Sequence, residues 1–378
     1  MATTTRIEWA DATTNTAVGC SHCSPGCDHC YAEKFAHRLS KHPIAAKVYA
    51  GVVDERGKWT GKINSNFSEK MYPHRVPGKG KRVFVGSMTD IFHPNYPAEN
   101  RDELFASILA DYIFANGHGH TFIILTKRPQ AMEEYFAAGP GTLLRRWGRA
   151  GSGWIIVGDG DSETFEEYAD GQTIPQEMTS TRDNLRQDYL WPLPNLWLGV
   201  TVCNQAEADA KIPVLLETPA TKRFVSIEPM LGPVEIGKYL YGSYECAMTC
   251  GTRLAFTNPP KKRCTACGFT GPDDYETWGN GDSEICPECG EDGGSGEIEE
   301  VCPGCGSFMV REHPDTQNID WVIAGTETGP KARAADEAWF RSLRDQCHAY
   351  HSITPFFLKK NSDGSRLLDG REWNEVPQ

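Results

Sequence analysis

The chain has 378 residues, of which 39% are hydrophobic and 24% charged, so it is a globular protein long enough for one large domain or two ordinary ones. Its 51 acidic and 38 basic residues give a net charge of −13, which argues against a nonspecific DNA coat but not against an enzyme that grips nucleic acid through one patch. No apolar run approaches the roughly 20 residues of a membrane span, and the amino-terminal segment lacks the basic and apolar stretches of a secretory signal. We therefore expect a cytoplasmic protein whose 14 cysteines stay reduced and mostly bind metals.

The first group of cysteines lies near the amino terminus, in the segment GCSHCSPGCDHCYAE. Its spacing can be read as Cys23-x3-Cys27-x2-Cys30 or as Cys20-x6-Cys27-x2-Cys30, and a helix beginning YAEKFAHRL would close the loop. Three thiolates on one loop can hold an iron–sulfur cluster with one iron free of protein ligands. Four cysteines can instead form a zinc site, and spacing alone leaves both interpretations open.

Beyond this loop, short apolar runs with polar carboxyl ends recur, and most are followed by a helical stretch. This alternation predicts a parallel sheet covered on both faces by helices. Six or seven such units favour an open or closed β/α barrel over a flat Rossmann sheet, and the chain has neither a G-x-G-x-x-G turn nor a P-loop. The runs span residues 82–92, 121–132, 193–204, 222–232, 319–329 and 353–360.

Polar residues stand at the end of every predicted strand. In a β/α barrel the chemistry takes place at the carboxyl ends of the strands. Each residue alone could be a simple cap, but their recurrence on every strand predicts a shared site. They are Ser87, Thr89, Asp90, Thr126, Lys127, Arg128, Thr201, Asn204, Ser226, Glu228, Thr326, Glu327, Lys359 and Lys360.

Two excursions interrupt the predicted barrel. Residues 139–191 carry a basic segment (LLRRWGR), a short predicted strand (GWIIVGDGD) and an acidic, turn-rich stretch. The second excursion is rich in cysteine. We therefore expect residues 1–240 and 317–378 to form the barrel, with 241–316 as an inserted metal-binding segment.

The inserted segment contains four cysteine pairs, of which CTACG, CPECG and CPGCG have the knuckle form of a zinc ribbon. The sequence between the knuckles is too polar for a core, so two structural zinc ions would fold it, and four thiolates leave no ligand position for a substrate. The two single cysteines, Cys203 and Cys347, are expected to be buried packing residues. The natural pairing joins Cys264 and Cys267 to Cys286 and Cys289, and Cys246 and Cys250 to Cys302 and Cys305, with a sequential pairing as the alternative.

Six motifs, in chain order, resemble those of a phage-associated family of three-Cys-motif proteins. They are RIEWADATTN, GCSHCSPGCDHCYAE, FVGSMTDIFHP, LTKRP, FVSIEPMLGPVEI and DWVIAGTETGPKAR, and they cover the chain apart from the two excursions. This family looks like a branch of the radical S-adenosylmethionine (radical SAM) superfamily. Its C-x6-C-x2-C spacing implies that Cys20, Cys27 and Cys30 hold a [4Fe–4S] cluster. Cys23 would complete the C-x3-C-x2-C spacing usual across the superfamily and is the alternative third ligand.

The resemblance implies that the fourth iron binds S-adenosylmethionine, and that an electron from a donor cleaves it to a 5′-deoxyadenosyl radical, which abstracts hydrogen from an unactivated carbon. VGSMTD occupies the place of a GGE-type element, although its glutamate is missing. Lys127 and Arg128 would bind an anionic substrate group, with an ion pair to a strand-end acid as the alternative for Arg128. The implied cofactor contacts are Gly86, Ser87, Asp90, Thr126, Asn204, Ser226 and Gly325, and the implied catalytic residues are Glu228, Lys127 and Arg128.

For the substrate, the resemblance points to hypermodified phage DNA. It implies an isomerase acting on an aminoacyl-modified thymidine, either as a base in DNA, which would have to be flipped out of a duplex, or as a nucleotide. The zinc insertion and its basic approach PPKKRC favour nucleic acid, whereas the acidic balance favours a partner protein or a small nucleotide. The alternatives are a radical SAM enzyme acting on RNA, a peptide or a metabolite, and a non-catalytic zinc-binding nucleic-acid or scaffold module.

Overall fold

The computed structural model of the protein divides into two compact units. The first contains Met1–Val234, Asp320–Ser342 and Pro355–Gln378, and the second contains Glu235–Ile319 and Leu343–Thr354. The second unit thus includes the segment 241–316 that the sequence assigns to an insertion, together with residues 343–354. The structure describes residues 3–5, 7–65, 72–115, 117–151, 190–240, 318–329, 331–349 and 354–377, and the backbones of six short strands between 244 and 312.

The strands of the first unit form mainly on short runs of β-branched, aromatic and aliphatic residues, whose side chains pack well on a pleated surface. Before the second unit they are β1 (Thr3–Thr4), β2 (Ala12–Thr14), β3 (Ala17–Val18), β4 (Asn64–Ser65), β5 (Arg82–Val85), β6 (Thr121–Thr126), β7 (Leu196–Thr201) and β8 (Lys222–Ile227). The second unit contributes β9 (Tyr244–Cys246), β10 (Arg253–Leu254), β11 (Lys261–Cys264), β12 (Thr270–Pro272), β13 (Ile298–Val301) and β14 (Val310–Glu312). The first unit ends with β15 (Trp321–Gly325), β16 (Phe356–Lys360), β17 (Leu367–Leu368) and β18 (Arg371–Glu372).

The helices mostly follow the parallel strands. Proline stands at the start of two of them, where its missing N–H costs no helical hydrogen bond. Of the helices that the structure describes, none combines the length and the apolar character that a membrane crossing requires. They are α1 (Tyr31–Leu39), α2 (Ala98–Phe114), α3 (Pro129–Phe136), α4 (Pro140–Ala150), α5 (Gln205–Glu217), α6 (Gly237–Leu240) and α7 (Glu337–Cys347).

Eight strands form the main sheet, in the order β1-β2-β5-β6-β7-β8-β15-β16. β1 runs antiparallel to β2, and the other seven strands are parallel and curl into a half-barrel. This confirms the mixed α/β fold with a parallel sheet, in the form of a partial barrel. Because the seven strands run the same way, their carboxyl ends meet at one edge of the sheet, called here the carboxyl edge.

One face of the sheet carries an aromatic core. Trp9, Phe84, Trp197, Phe224 and Trp321 are each at most 8% exposed, and their rings lie close together, with 4.8 Å between the centroids of Trp9 and Phe84. On the strands these rings stand in the first or middle positions rather than at the carboxyl ends. The core therefore supports the sheet while leaving its carboxyl edge to polar residues.

The two excursions are described only in part. In the first, the basic segment forms α4, which buries Leu143, Leu144 and Trp147, whereas the predicted strand GWIIVGDGD lies outside the described residues. In the second, β10-β9-β14 and β12-β11-β13 form two small antiparallel sheets. Of the eight predicted zinc ligands, Cys246 ends β9 and Cys264 ends β11; the other six lie outside the described residues.

Candidate functional site

The amino-terminal cysteines lie on a loop between β3 and α1, residues 19–30, called here the cysteine loop. At its start, the N–H of Gly19 donates to the carbonyl of Met88 at 3.1 Å, just beyond β5. In its middle, Pro25–Cys27 forms a 3-10 turn capped by the Ser24 hydroxyl. The loop therefore begins at the carboxyl edge, where the sequence predicts the site.

The first half of the cysteine loop is held by an ion pair between Asp90 and Arg128. Arg128 Nη1 donates to Asp90 Oδ2 at 2.8 Å, and Nη2 donates to the carbonyl and the hydroxyl of Ser21 at 2.9 and 3.0 Å. Asp90 also accepts hydrogen bonds from the Thr126 hydroxyl at 2.7 Å and from the Lys127 N–H at 3.1 Å. Both carboxylate oxygens of Asp90 are thus occupied, and Arg128 has the strand-end partner that the sequence left as an alternative.

The second half of the loop is held by an ion pair between Glu327 and Arg333. Arg333 Nη2 donates to Glu327 Oε1 at 2.5 Å and to the carbonyl of Pro25 at 2.8 Å, and Nη1 donates to Asp28 at 3.1 Å. His29 Nδ1 donates to Glu327 Oε2 at 2.8 Å. Burial favours the neutral carboxyl, but the hydrogen bonds from Arg333 and His29 outweigh it and lower the pKa of Glu327 to about 2.

A third carboxylate joins the loop to α1. Glu33, which is only 3% exposed, accepts hydrogen bonds from His22 Nε2 at 2.8 Å, Lys58 Nζ at 3.0 Å and the Trp59 N–H at 2.8 Å. These contacts satisfy a buried charge with donors from two segments of chain. Beside them a cleft of about 350 Å³ is lined by His22, Asp28, Lys58 and Trp59.

The thiols of the loop differ in their electrostatic surroundings. Interaction between the Cys23 and Cys27 thiols lowers the pKa of Cys27 and, together with burial, raises that of Cys23. Burial and the Asp90 carboxylate raise the pKa of Cys20 to about 11, although Arg128 Nη1 lies 3.9 Å from its sulfur. Of Cys20, Cys23 and Cys27, the last is therefore the thiol that ionises most readily.

Lys127 provides positive charge near these thiols. Burial would lower the pKa of its ammonium, but negative charge at Cys27, Cys30, Cys203 and Asp90 raises it above its ordinary value. Lys127 therefore stays protonated, and its charge favours the thiolate form of Cys27.

Cys203 lies against the middle of the loop. It is fully buried, as predicted for both single cysteines, but it is more than distant packing because its sulfur lies 3.8 Å from the Ser24 hydroxyl. A Cβ on Gly26 would come within 2.5 Å of Cys203 Sγ and 3.2 Å of Pro229 Cδ. Only glycine at position 26 allows the loop to approach the end of β7 so closely.

The chain matches the model of one protein family along almost its entire length. The matched residues are 4–377, and the family is described as a protein of unknown function, DUF5131. The chain belongs to this family. No curated protein and no solved structure matches the chain.

In this DUF5131 member the side chains of the cysteine loop are of the right chemical type for a metal cluster, but they are not arranged around one point. Four thiols with two basic side chains nearby are the donor type that iron–sulfur clusters and structural zinc use. Among the described residues, however, no group of three or more His, Cys, Asp and Glu side chains is gathered as the ligands of a metal ion are. A cluster on this loop therefore requires the cysteine side chains to turn toward one point.

The remaining strand-end residues of this DUF5131 member take varied roles. Ser87 exchanges hydrogen bonds with Asn15, while the side chain of Asn204 caps α5 by accepting from the Glu207 N–H at 2.9 Å. Ser226 is buried at the end of β8. Gly86 has φ of 85°, a left-handed conformation that favours glycine.

A further ion pair stands on the other side of the carboxyl edge. Lys359 Nζ donates to Glu228 Oε1 at 2.5 Å, and the two side chains are 26% and 22% exposed. A Cβ on Gly325 would lie 3.5 Å from Glu228 Cδ and from Lys359 Cβ. Burial would lower the pKa of Lys359, but the carboxylate of Glu228 raises it, so Lys359 stays protonated in a pair that solvent reaches.

Sequence reasoning missed several residues that hold the site together. Glu33 and His29 lie in the quoted cysteine motif, and Arg333 lies in DWVIAGTETGPKAR, but none was singled out. Each is a charged or polar residue inside a motif that the other reasoning already used. The sequence does not show that Glu33 is buried, and the partner of Arg333 likewise follows only from the fold.

Proposed function

We propose that this DUF5131 member is a radical SAM iron–sulfur enzyme. The proposal is carried by one observation: a four-cysteine loop contacts the carboxyl edge of a curled parallel sheet, with a protonated Lys127 near Cys27 and Cys30. Cationic side chains beside thiols offset the negative charge of a thiolate-bound cluster. A carboxyl edge is where β/α barrels place their chemistry.

Cys27 and Cys30 would hold the [4Fe–4S] cluster together with Cys20 or Cys23. The family spacing favours Cys20, whereas the interaction between the Cys23 and Cys27 thiols favours Cys23. When bound, the cluster with S-adenosylmethionine would supply a 5′-deoxyadenosyl radical, using an electron from a donor protein. The predicted two structural zinc ions of the inserted segment are part of the same proposal.

The protein's own residues would position the reactants. The Asp90–Arg128 pair fixes the start of the cysteine loop, and Lys127 keeps a positive charge close to the thiolates. Glu228 and Lys359 present opposite charges at strand ends that solvent reaches, which suits a substrate bearing an amino or a carboxylate group. In this proposal Glu228 and Lys359 orient the substrate.

The favoured substrate is an aminoacyl-modified thymidine of phage DNA, which the enzyme would isomerise in the host cytoplasm. RNA, a peptide or a metabolite remains an alternative substrate for the same chemistry. The alternative that is not an enzyme is a zinc-binding nucleic-acid or scaffold module without catalysis.

Anaerobic purification tests the chemistry directly. The protein should be brown and contain about four irons and about two zinc ions. Colourless protein with about three zinc ions and no iron would contradict the proposal. Cys20→Ala and Cys23→Ala, compared separately, assign the third ligand, because only loss of the true ligand should abolish iron retention and S-adenosylmethionine cleavage.

The substrate is tested by incubating the iron-loaded protein with S-adenosylmethionine, a reductant and DNA containing the modified thymidine. Mass spectrometry of the digested nucleosides should show an isomer that separates from its precursor on chromatography. Cleavage of S-adenosylmethionine with unchanged nucleosides would keep the radical chemistry and reject this substrate.

A further inference from the structure

The outer face of α1 exposes aromatic and basic side chains together. Tyr31, Lys34, Phe35 and Arg38 stand three or four positions apart, so they share one helix face, and all four are exposed. Tyr31 is 56% and Phe35 41% exposed, although the Tyr31 hydroxyl donates to the Ser87 carbonyl at 2.8 Å. The Tyr31 ring is thus fixed at the end of β5 while solvent still reaches it.

The positive charge of this face is available to a ligand. Among the described residues, no carboxylate pairs with Lys34 or Arg38, and the Arg38 guanidinium lies 4.6 Å from the centre of the Phe35 ring. The nearby carboxylate of Glu33 is buried and already bound by His22 and Lys58. An anionic ligand can therefore approach the face without displacing an ion pair of Lys34 or Arg38.

The sequence around this face, residues 31–62 and called here the basic island, is positively charged although the chain as a whole is acidic. Residues 31–62 contain seven Lys and Arg against three Asp and Glu, whereas the whole chain has a net charge of −13. This local excess of Lys and Arg gives this part of the chain a positive charge that the chain as a whole does not have. It is also distinct from the groups of Lys and Arg within residues 79–82, 145–149 and 261–263.

The island adjoins both the cysteine loop and the cleft. Tyr31 follows Cys30 directly, and Lys58 and Trp59 line the cleft while binding Glu33 of α1. The cleft, of about 350 Å³, lies within the range of small-ligand sites. The helix that carries the exposed face thus follows the cysteine loop directly and is bound, through Glu33, by two residues of the cleft.

We propose that the face formed by Tyr31, Lys34, Phe35 and Arg38 is a docking surface for a single strand of nucleic acid. Basic side chains bind the phosphates of a strand, and exposed aromatic rings stack on its unpaired bases. The proposal rests on the proposed function, because it supplies the surface that brings a nucleic-acid substrate to the cysteine loop. An acidic partner protein would use the charges of this face but would not need both rings as stacking platforms.

Binding is tested with the full-length protein as purified, without S-adenosylmethionine, by fluorescence anisotropy of a labelled thymidine oligonucleotide of about 16 nucleotides. Lys34→Gln combined with Arg38→Gln should weaken binding at least about tenfold. The slope of log affinity against log salt should fall by about 1.4, because each phosphate contact on a single strand contributes about 0.7. Phe35→Ala should weaken binding about tenfold through lost stacking.

The matched control is Arg145→Gln combined with Arg149→Gln, which removes the same charge from exposed positions of α4. It should bind within about twofold of the unchanged protein at the same salt. Equal losses in the two double variants, or no binding by the unchanged protein, would overturn the proposal. The proposal would also be overturned if the protein bound no oligonucleotide and an acidic electron-carrier protein reduced the Lys34→Gln/Arg38→Gln variant more slowly than the unchanged protein.

An RNA oligonucleotide of matched sequence distinguishes the source of the strand. Tighter binding of either polymer supports the docking surface and names its natural ligand. Because this assay needs no iron, absent binding in a protein that is brown and cleaves S-adenosylmethionine rejects the docking surface alone. Binding by a protein that never retains iron rejects the radical chemistry alone.

Discussion

The Asp90–Arg128 pair and the Glu327–Arg333 pair hold the two halves of one loop, yet water reaches them differently. The side chains of Asp90 and Arg128 are 8% and 13% exposed. Glu327 is 5% exposed, but its partner Arg333 is 33% exposed and also binds Asp28, which is 59% exposed. Each arginine donates to a carboxylate and to a backbone carbonyl of the loop, so the same device occurs once in the interior and once near the surface.

This difference in exposure indicates which ion pair fixes the position of the loop and which one responds to the pH and salt of the solvent. A buried pair is costly to break because the remaining charge has no partner and little water. A pair with one exposed member is screened by salt and loses its benefit when its carboxylate is protonated. We therefore expect the Asp90–Arg128 pair to set the position of the loop and the Glu327–Arg333 pair to make it sensitive to pH.

The largest expected effect is that of Arg128→Met. The variant leaves the Asp90 carboxylate buried without its ion-pair partner, which should lower the free energy of unfolding by about 3–5 kcal/mol. Arg82→Met is the matched control, because Arg82 pairs with Asp11 where the side chains are 28% and 44% exposed, and it should cost less than about 1 kcal/mol. The measurement is urea-induced unfolding.

Combining Arg128→Met with Asp90→Asn should recover part of that loss, since no unpaired charge then remains. Equal destabilisation by Arg128→Met and Arg82→Met would remove the contrast between the interior and exposed pairs.

The next largest effect is the loss of unfolding free energy at acidic pH. Because the folded protein holds the pKa of Glu327 at about 2, below the ordinary 4.5, this group stabilises the fold fully above pH 4.5. Solvent at the exposed Arg333 screens this contribution to about 1–2 kcal/mol, and it is lost as the pH falls from 4.5 toward 2. Glu327→Gln should flatten the pH dependence of the unfolding free energy in this window. Identical acid profiles for the variant and the unchanged protein would show that this pair is not pH-sensitive.

A smaller effect is expected from Gly26→Ala, which tests the contact between the loop and the end of β7. Its Cβ would come within 2.5 Å of Cys203 Sγ, so the loop must shift, at a cost of about 1–3 kcal/mol. Adding Cys203→Ala removes the obstructing sulfur and should reduce the cost of the glycine substitution. Additive costs in the double variant would mean that the two residues are not in contact.

The smallest effect is that of Asp28→Asn. Its carboxylate accepts from Arg333 at 3.1 Å but is 59% exposed, so its loss should change the unfolding free energy by about 0.5 kcal/mol or less. The same measurement in high salt should reduce the difference further. A large effect would show that the contact of Asp28 with Arg333 behaves like the buried Asp90–Arg128 pair.

Much of the sheet was predictable from the sequence because its central strands are apolar runs that end in polar residues. β2 was not, since Ala12–Thr14 consists of one alanine and two threonines that look like loop residues although all three are buried. Threonine is β-branched and fits a buried strand, but three such residues are too short to give a pattern. The edge strand β1 was missed for the same reason of length.

The site was predictable in its residue types but not in its pairings. Asp90, Lys127 and Arg128 were chosen because they follow strands, and the structure brings them together. That Arg128 would bind Asp90, or that Arg333 would bind Glu327, depends on distances that residue spacing does not contain. The same holds for Gly26 and Cys203, whose contact joins residues that are far apart in the chain.

The contacts that hold the cysteine loop are remote in sequence. Cys20 and Arg128 are 108 residues apart, Ser24 and Cys203 are 179 apart, and His29 and Glu327 are 298 apart. Contacts of such long range form slowly, because the intervening chain must first be ordered. During synthesis the loop leaves the ribosome before Arg128, Cys203 and Glu327, and it reaches its final position only after the strands that precede those residues have formed. Any cofactor that the loop receives would then be loaded onto a sheet whose central strands are already in place.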